Sequence, residues 1–479
     1  MAGRQQTRQE GPGSSQRALA FRGRGMVVGG DMSVHLSTLH IRWFVRRWGL
    51  LVLLLPCLLA LIGCDNTAPT QTPTPSIPVV IIPTPTLLPE ELRSSIFEEV
   101  WGTVKNKYLY KDYRGVNWLA LHDEYKPRAL QAGSNEEFYT TIKDMVERLD
   151  DNHSGYWTPA EVREQDASAS GRTDYAGIGI TVQMEDDSEV VLLVYPGSPA
   201  EAAGLRRRDR ITAVDGQPLR DPENTPGRIR GPVGTSVTLT VQSPGQAPRD
   251  IAIVRQHITS SENPIITQLN GDPAIGYLVI SSFWQGDMDT RVEQALLNFT
   301  RRLADQDTPL KGLVIDLRGN KGGYITVTEG IVGQFMEGLL GTRRLNDSHQ
   351  YSSEGLFQVV AVKGKLFNQL KSIPLVVLID DHTGSSAEVF AAALQSKGRA
   401  KVIGTRSAGN IESLTAYDFS DGSRLHLATA YIELWDGTNL EGKGITPDVT
   451  IDVDWSSYPE KDDPHILEAV KTIQEAAGN

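Results

Sequence analysis

The chain has 479 residues, 39% of them hydrophobic and 22% charged, with 45 Gly, 26 Pro, 2 Cys and a formal charge of −12. Such a length accommodates roughly two to four domains, and the ordinary hydrophobicity excludes both a polytopic membrane protein and a wholly disordered chain. Two cysteines exclude a disulfide scaffold and a four-cysteine zinc site, and the acidic balance argues against a nucleic-acid partner.

The charge is uneven. Residues 1–64 hold eight Arg, no Lys and two acids, a net +6, which leaves −18 for residues 65–479. An apolar run from Trp48 to Gly63 follows Arg42, Arg46 and Arg47 and is closed by Asp65. It is shorter than the about 20 residues a membrane span needs, and its basic flank and short apolar centre form the pattern of an export signal. Cys57 lies inside the run and leaves with it if the signal is cleaved. Residues 1–40 are a long lead in which Met26 and Met32 are alternative starts. Residues 65–89 are rich in Thr and Pro (Thr72-Pro73-Thr74-Pro75), a composition that favours an extended, semi-rigid stalk. The apolar patch Val79 to Ile82 does not suit a pure spacer.

Residues 90–165 read as a helical region: Leu92, Ile96, Val100 and Val104 recur at helical spacing, as do Phe138, Ile142, Met145, Val146 and Leu149. Asn135-Glu136-Glu137 has the character of an N-terminal cap with acids in the first turn. The second run ends in a turn that delivers His153. Residues 173–257 switch to short strands with turn signals, among them Val190 to Val194 and a glycine-bearing segment Gly177-Ile178-Gly179-Ile180. Residues 262–479 alternate strands and helices, as expected of an α/β layer arrangement.

The sharpest chemical feature is the apolar strand Leu375 to Ile379, which feeds Gly384-Ser385-Ser386 and an Ala-rich helix. A serine there stands at a helix N-terminus, where free amides and the dipole favour developing negative charge. Taken alone, Ser385 or Ser386 reads first as a plain N-cap. A second loop, Asp316 to Gly323, leaves another apolar strand, and its glycines let backbone amides crowd one point, as an oxyanion hole requires. A phosphate loop is the competing reading, but no Gly-Lys-Ser/Thr step follows. No His-Glu-x-x-His or calcium-loop spacing is present, so neither a metal nor another cofactor is implied.

Three resemblances follow from these residues. Leu61-Ile62-Gly63-Cys64 resembles the lipobox of bacterial lipoproteins, which implies a lipidated Cys64, a membrane tether and an extracytoplasmic location at the cell membrane. An uncleaved signal anchor is the alternative. The segment through Pro196-Gly197-Ser198-Pro199-Ala200-Glu201 and Asp209 to Gly216 resembles a PDZ domain. That implies capture of an extended peptide by a strand edge, with Gly177, Ile178, Gly179 and Ile180 at the carboxylate loop. Finally, Ile275 to Ile280, Asp316 to Gly323, Gly384 to Gly404 and Glu441 to Asp448 together resemble the carboxy-terminal processing (tail-specific) serine peptidases.

This last resemblance covers about residues 90–454. It implies a ClpP/crotonase-like α/β core carrying an inserted PDZ-like domain and an N-terminal helical region, with polypeptide tails as substrates. Ser385, three residues before Glu388, matches the nucleophile, and Gly319 and Ser386 match the oxyanion donors. Asn410 stands where family members with a Ser–Lys dyad carry lysine, and asparagine accepts no proton near neutral pH. His153 matches the base of the tricorn-like branch, and Glu441 holds the place of its acid. Lys443 or Lys397 as base, and a non-catalytic peptide- or ligand-binding protein on the same fold, remain alternatives; His382 is a weak one.

Overall fold

Apolar side chains at helical spacing build the N-terminal region: Ile96, Phe97, Val100 and Val104 of the helix Glu90–Lys107 pack with Trp118, Leu121 and Tyr125 of Trp118–Gln131 and with Phe138, Ile142 and Met145 of Asn135–Glu147. The computed structural model describes residues 86–479 apart from 152, 170–175, 220–227, 259–261, 270–271, 346–356 and 479. The export run, Cys64 and the stalk up to residue 85 therefore lie outside the described residues. Among the described residues no helix is long and apolar enough to cross a membrane. The cap of the third helix is one residue earlier than Asn135: the Ser134 hydroxyl accepts the Glu137 N–H at 3.1 Å. Asn135 instead takes the Leu88 N–H on Oδ1, tying the chain entering the first helix to the third.

The central sheet has six strands in the order Ile265–Leu269, Asp272–Val279, Gly312–Asp316, Leu375–Ile379, Lys401–Gly404 and Val449–Thr450. Only the first pair is antiparallel. Leu375 to Ile379 is buried at every position, as a strand covered on both faces must be. One face packs on the helices Met288–Asp305, Ile325–Val332 and Ser386–Ser396. The other face receives Ile466, Ala469 and Ile473 of Pro464–Gly478. Each such fully buried Leu, Ile or Val contributes about 1.5–3 kcal/mol over leaving it in water.

A second sheet is organised by the long strand Arg424–Leu434. Its first half pairs with Gly155–Trp157, its second half with Gly338–Leu345, and Glu412–Asp418 runs along its other edge. This arrangement draws the turn bearing His153 from the helical region to the segment that follows Asn410. The PDZ-like sheet has the strand order Ile180–Met184, Glu189–Val194, Arg210–Val214, Ser236–Gln242 and Arg249–Val254 around its own core.

Candidate active site

Ser385 precedes the helix Ser386–Ser396 with φ +55° and ψ −128°, a conformation side chains other than glycine seldom adopt. Two contacts hold it there. Its N–H donates to the Asn410 carbonyl at 2.8 Å and lies 3.1 Å from Oε2 of Glu388. Glu388 is fully buried and also accepts the Ser407 hydroxyl at 2.6 Å and the Gly409 and Asn410 N–H groups at 2.8 and 2.7 Å. Burial pushes its carboxyl up, against the pull of those donors. One carboxylate thus fastens the serine turn to the 405–411 loop.

The glycine loop closes over the same point. A Cβ at Gly322 would stand 2.7 Å from the Ser385 Cβ and 2.9 Å from the Ser386 nitrogen, so only glycine fits. Ser386, as first residue of its helix, has an N–H with no intrahelical acceptor. Gly319 does not serve as expected: its N–H donates to Oδ1 of Asp380 at 2.9 Å, and its Cα faces Gln183 and Leu192 of the PDZ-like domain. Gly323 is the glycine that lines the cavity with Ser385 and Ser386.

His153 is set by its turn. Asp151 accepts the His153 N–H at 3.0 Å and the Ser154 N–H, and its other oxygen takes the Tyr108 hydroxyl at 2.6 Å. The acid on His153 is Glu412, not Glu441: Nδ1 lies 2.9 Å from Glu412 Oε2, and Tyr110 donates to the other oxygen at 2.5 Å. Glu441 accepts the Ile411 N–H at 2.9 Å instead. Burial, reinforced by the neighbouring Glu412 charge, pushes the Glu441 carboxyl up. An ionised carboxylate only accepts, so the Glu412 contact places the imidazole proton on Nδ1 and leaves the lone pair on Nε2. Among the described residues, buried His153 Nε2 has no hydrogen-bond partner, Ser385 included.

Ser385, Ser386, Gly323 and Glu412 line one cavity of about 340 Å³. The two lysines considered as bases do not line it. Lys443 reaches the Asn439 carbonyl at 3.4 Å, and Lys397 lies 4.0 Å from the Trp435 ring centroid. His382 is engaged by Asp381 and Gln183 at 3.0 and 3.2 Å. In the PDZ-like domain Gly177 pairs with Gln256, buried Ile178 gives its carbonyl to the Ala200 N–H, and Gly179, at φ +81°, sits against Ser198. Among the described residues, Ile180 opens the terminal strand of its sheet and is paired on one side only.

No sequence motif singles out Glu412, which stands two residues beyond Asn410 inside a segment that reads as an ordinary strand. An acid opening a strand of apolar and hydroxyl residues (Ile411-Glu412-Ser413-Leu414) was the available signal.

Comparison with known proteins gives the class. Residues 274–451 match Peptidase family S41, residues 190–243 match the PDZ domain, and residues 89–147 match the Tricorn protease C1 domain. A carboxyl-terminal-processing protease of Picosynechococcus sp. is 29% identical over 359 residues, covering 74% of this chain and 82% of the relative. One from Synechocystis sp. is 27% identical over 387 residues, covering 80% and 86%. Among solved structures, the photosystem II D1 C-terminal processing protease aligns with a TM-score of 0.54 at 24% identity, over 79% of this chain and 96% of its own. Mature CPAF complexed with lactacystin aligns at 0.50 and 14%, over 81% and 99%. The last two likenesses are of fold. The catalytic core is that of a serine peptidase, and it carries a PDZ domain. Residues 274–451 form a Peptidase family S41 domain, and the chain is similar over most of its length to carboxyl-terminal-processing proteases.

Proposed function

We propose that the protein is a membrane-tethered, extracytoplasmic endopeptidase that cleaves unfolded or tail-exposed proteins, in the manner named for its carboxyl-terminal-processing relatives. Cys64 carries the lipid, and the Pro/Thr-rich stalk spaces the folded part from the membrane. The PDZ domain takes the substrate tail along the free edge of Ile180–Met184, with the 177–180 loop at the terminal carboxylate.

Ser385 is the nucleophile and His153 the base. The single observation that carries this reading is the His153–Glu412 contact, because Glu412 lines the cavity that holds Ser385. As Oγ attacks the peptide carbonyl, His153 Nε2 takes its proton and later delivers it to the leaving amine, while Glu412 stabilises the imidazolium. The N–H groups of Ser386 and Gly323 receive the oxyanion. Substrate closes the gap between Nε2 and Oγ, since catalytic hydrogen bonds commonly tighten only in the substrate complex.

The test is cleavage of an unstructured protein such as reduced casein by wild type, Ser385→Ala and His153→Ala. Loss of activity in both variants is expected. Equal cleavage by all three would overturn the assignment, and loss in Ser385→Ala alone would overturn the histidine base.

A further inference from the structure

Both acids that hold His153 are themselves held by one short segment. The helix Glu90–Lys107 ends at Tyr108, whose backbone is extended (φ −58°, ψ 141°), and the Leu109 N–H donates to the Ala428 carbonyl at 2.9 Å. Side chains alternate along an extended stretch, so Tyr108 and Tyr110 share a face. Their rings meet edge to face with centroids 5.6 Å apart. Tyr108 donates to Asp151 at 2.6 Å, and Tyr110 donates to Glu412 Oε1 at 2.5 Å.

The two bonds differ in what they reach. Asp151 touches the backbone of His153, through its N–H, whereas Glu412 touches the ring, with Oε2 2.9 Å from Nδ1. The Glu412 side chain is 1% exposed, so its charge is answered by protein groups and not by water. The imidazole and the Tyr110 phenol therefore share one buried carboxylate, an oxygen each. Burial and the Glu412 charge push the Tyr110 phenol up, so the hydroxyl keeps the proton it donates. The other charges about this group are Asp151 on the histidine turn, Glu441 with Glu388 beside it, and Arg114, which lies 5.6 Å from the Tyr110 ring centroid.

We propose that Tyr110 is a positioning residue for catalysis: its hydroxyl fixes the Glu412 carboxylate against His153 and so sets the pH range in which the base works. The inference rests on His153 being that base. Without the hydroxyl, Glu412 Oε1 loses its phenol donor, and a buried carboxylate so deprived binds a proton more strongly. Whether that proton sits on the ring or on the acid, the pair takes it up at a higher pH. A pair already protonated cannot accept the proton of the serine hydroxyl. Tyr108 bonds an acid that meets only backbone N–H groups of the histidine turn, so it steadies the turn and leaves the charge on the ring alone.

The experiment measures kcat/KM of the full-length protein on reduced casein between about pH 5.5 and 9.5, where the acid limb of the profile reports the base of the free enzyme. It compares wild type, Tyr110→Phe, Tyr108→Phe, His153→Ala and a chain with a ring-fluorinated tyrosine at position 110. In Tyr110→Phe the limb should move up by about one pH unit, the size of one hydrogen bond to a charged group. Cleavage should then be about tenfold down on the limb and approach wild type at the alkaline end. Fluorine makes the phenol a stronger donor and keeps its shape, so that chain should move the limb down. Tyr108→Phe removes a hydroxyl from the same cluster and should leave the limb in place. The position of the limb does not depend on the folded fraction, and if Tyr110→Phe does not fold, the direction of the shift in the fluorinated chain decides. A limb unmoved in Tyr110→Phe, a loss uniform across pH, an upward or absent shift in the fluorinated chain, or an equal shift in Tyr108→Phe overturns the role of Tyr110 and leaves the base standing. Undiminished cleavage by His153→Ala, or a wild type that cuts nothing, overturns the base and this role with it.

Discussion

A serine at φ +55° is costly, on the order of 1–3 kcal/mol, and persists only where its surroundings over-determine it. At Ser385 the over-determination comes from one acid, Glu388, whose four donors all belong to the serine turn or to the 405–411 loop. The sequence marked Glu388 through its spacing from Ser385. It did not mark Glu412, because pairing an acid with a histidine 259 residues earlier is a property of the folded sheet. Asn410 shows the same limit from the other side. Its side chain identified the missing lysine, whereas its backbone, which grips the Ser385 amide, carried no sequence signal. The exchange of Glu441 for Glu412 has a direct consequence. Glu412→Gln offers a neutral amide to His153 Nδ1, loosening the tautomer and withdrawing the charge that supports the imidazolium. Its kcat on casein should fall by up to about 10⁴, the loss known for turning the acid of such a triad into its amide. Glu441→Gln should cost less than about tenfold, since its carboxylate only receives the Ile411 amide. Steady-state kinetics on the two variants decides between them, and the reverse order would restore Glu441 to the orienting role.

Elements were legible where one local pattern decided them. The strands Gly312–Asp316 and Leu375–Ile379 are uninterrupted apolar runs because both of their faces are covered, and the helix Met288–Asp305 shows its buried stripe at Met288, Val292, Leu296, Phe299 and Leu303. The glycine loop was legible as a backbone cradle, but not which amide faces the serine, because the Asp380 side chain claims the Gly319 N–H from another strand end. The strand Glu189–Val194 holds a feature that apolar periodicity conceals. Among the described residues neither carboxylate oxygen of buried Glu189 has a hydrogen-bond partner, and burial pushes its carboxyl up to about 7 from 4.5. Between those values the folded chain keeps a proton that the unfolded chain has released. Stability therefore declines as pH rises through that window, and the deficit is complete above it. Glu189→Gln removes the titration. It should stabilise the protein by about 3 kcal/mol at pH 8 and by little at pH 4.5, measured as unfolding free energy at the two values. A gain of equal size at both would show that ionisation of Glu189 is not the cost.

At the scale of the whole molecule, the PDZ domain is bound to the catalytic core by a buried ionic network that no stretch of sequence announces. Arg206-Arg207-Arg208 reads as a solvated charge run, the usual fate of such a run. In the fold, Arg207 bonds Asp316 at 2.9 Å, and Arg208 bonds Asp463 at 2.9 Å and the Trp455 and Tyr458 carbonyls at 3.1 and 3.0 Å. Arg318 joins the two acids, 2.8 Å from each, and stacks 4.4 Å from the centroid of Trp455. Burial would raise the carboxyls of Asp316 and Asp463, but Arg318 and its neighbours Arg207 and Arg208 hold both below their ordinary range. Trp455 in turn donates to Asp380, whose other oxygen fixes the Gly319 amide at the base of the glycine loop. The contact between domains and the floor of the active site are thus one structure. Asp463 is the member whose loss discriminates, because it balances Arg208 from the PDZ domain and Arg318 from the core at once. Asp463→Asn leaves two buried guanidinium groups undercompensated and should destabilise the protein by about 3–5 kcal/mol. Because the pairs are buried, salt should screen them little, so the deficit in denaturant midpoint should persist in 1 M NaCl, where the Debye length is about 3 Å. Arg208→Met, which removes a buried cation together with its partner's charge balance but keeps the volume, should cost less than Asp463→Asn. A deficit that disappears in high salt would show instead that these groups meet in water and that the PDZ domain is not fastened to the core through them.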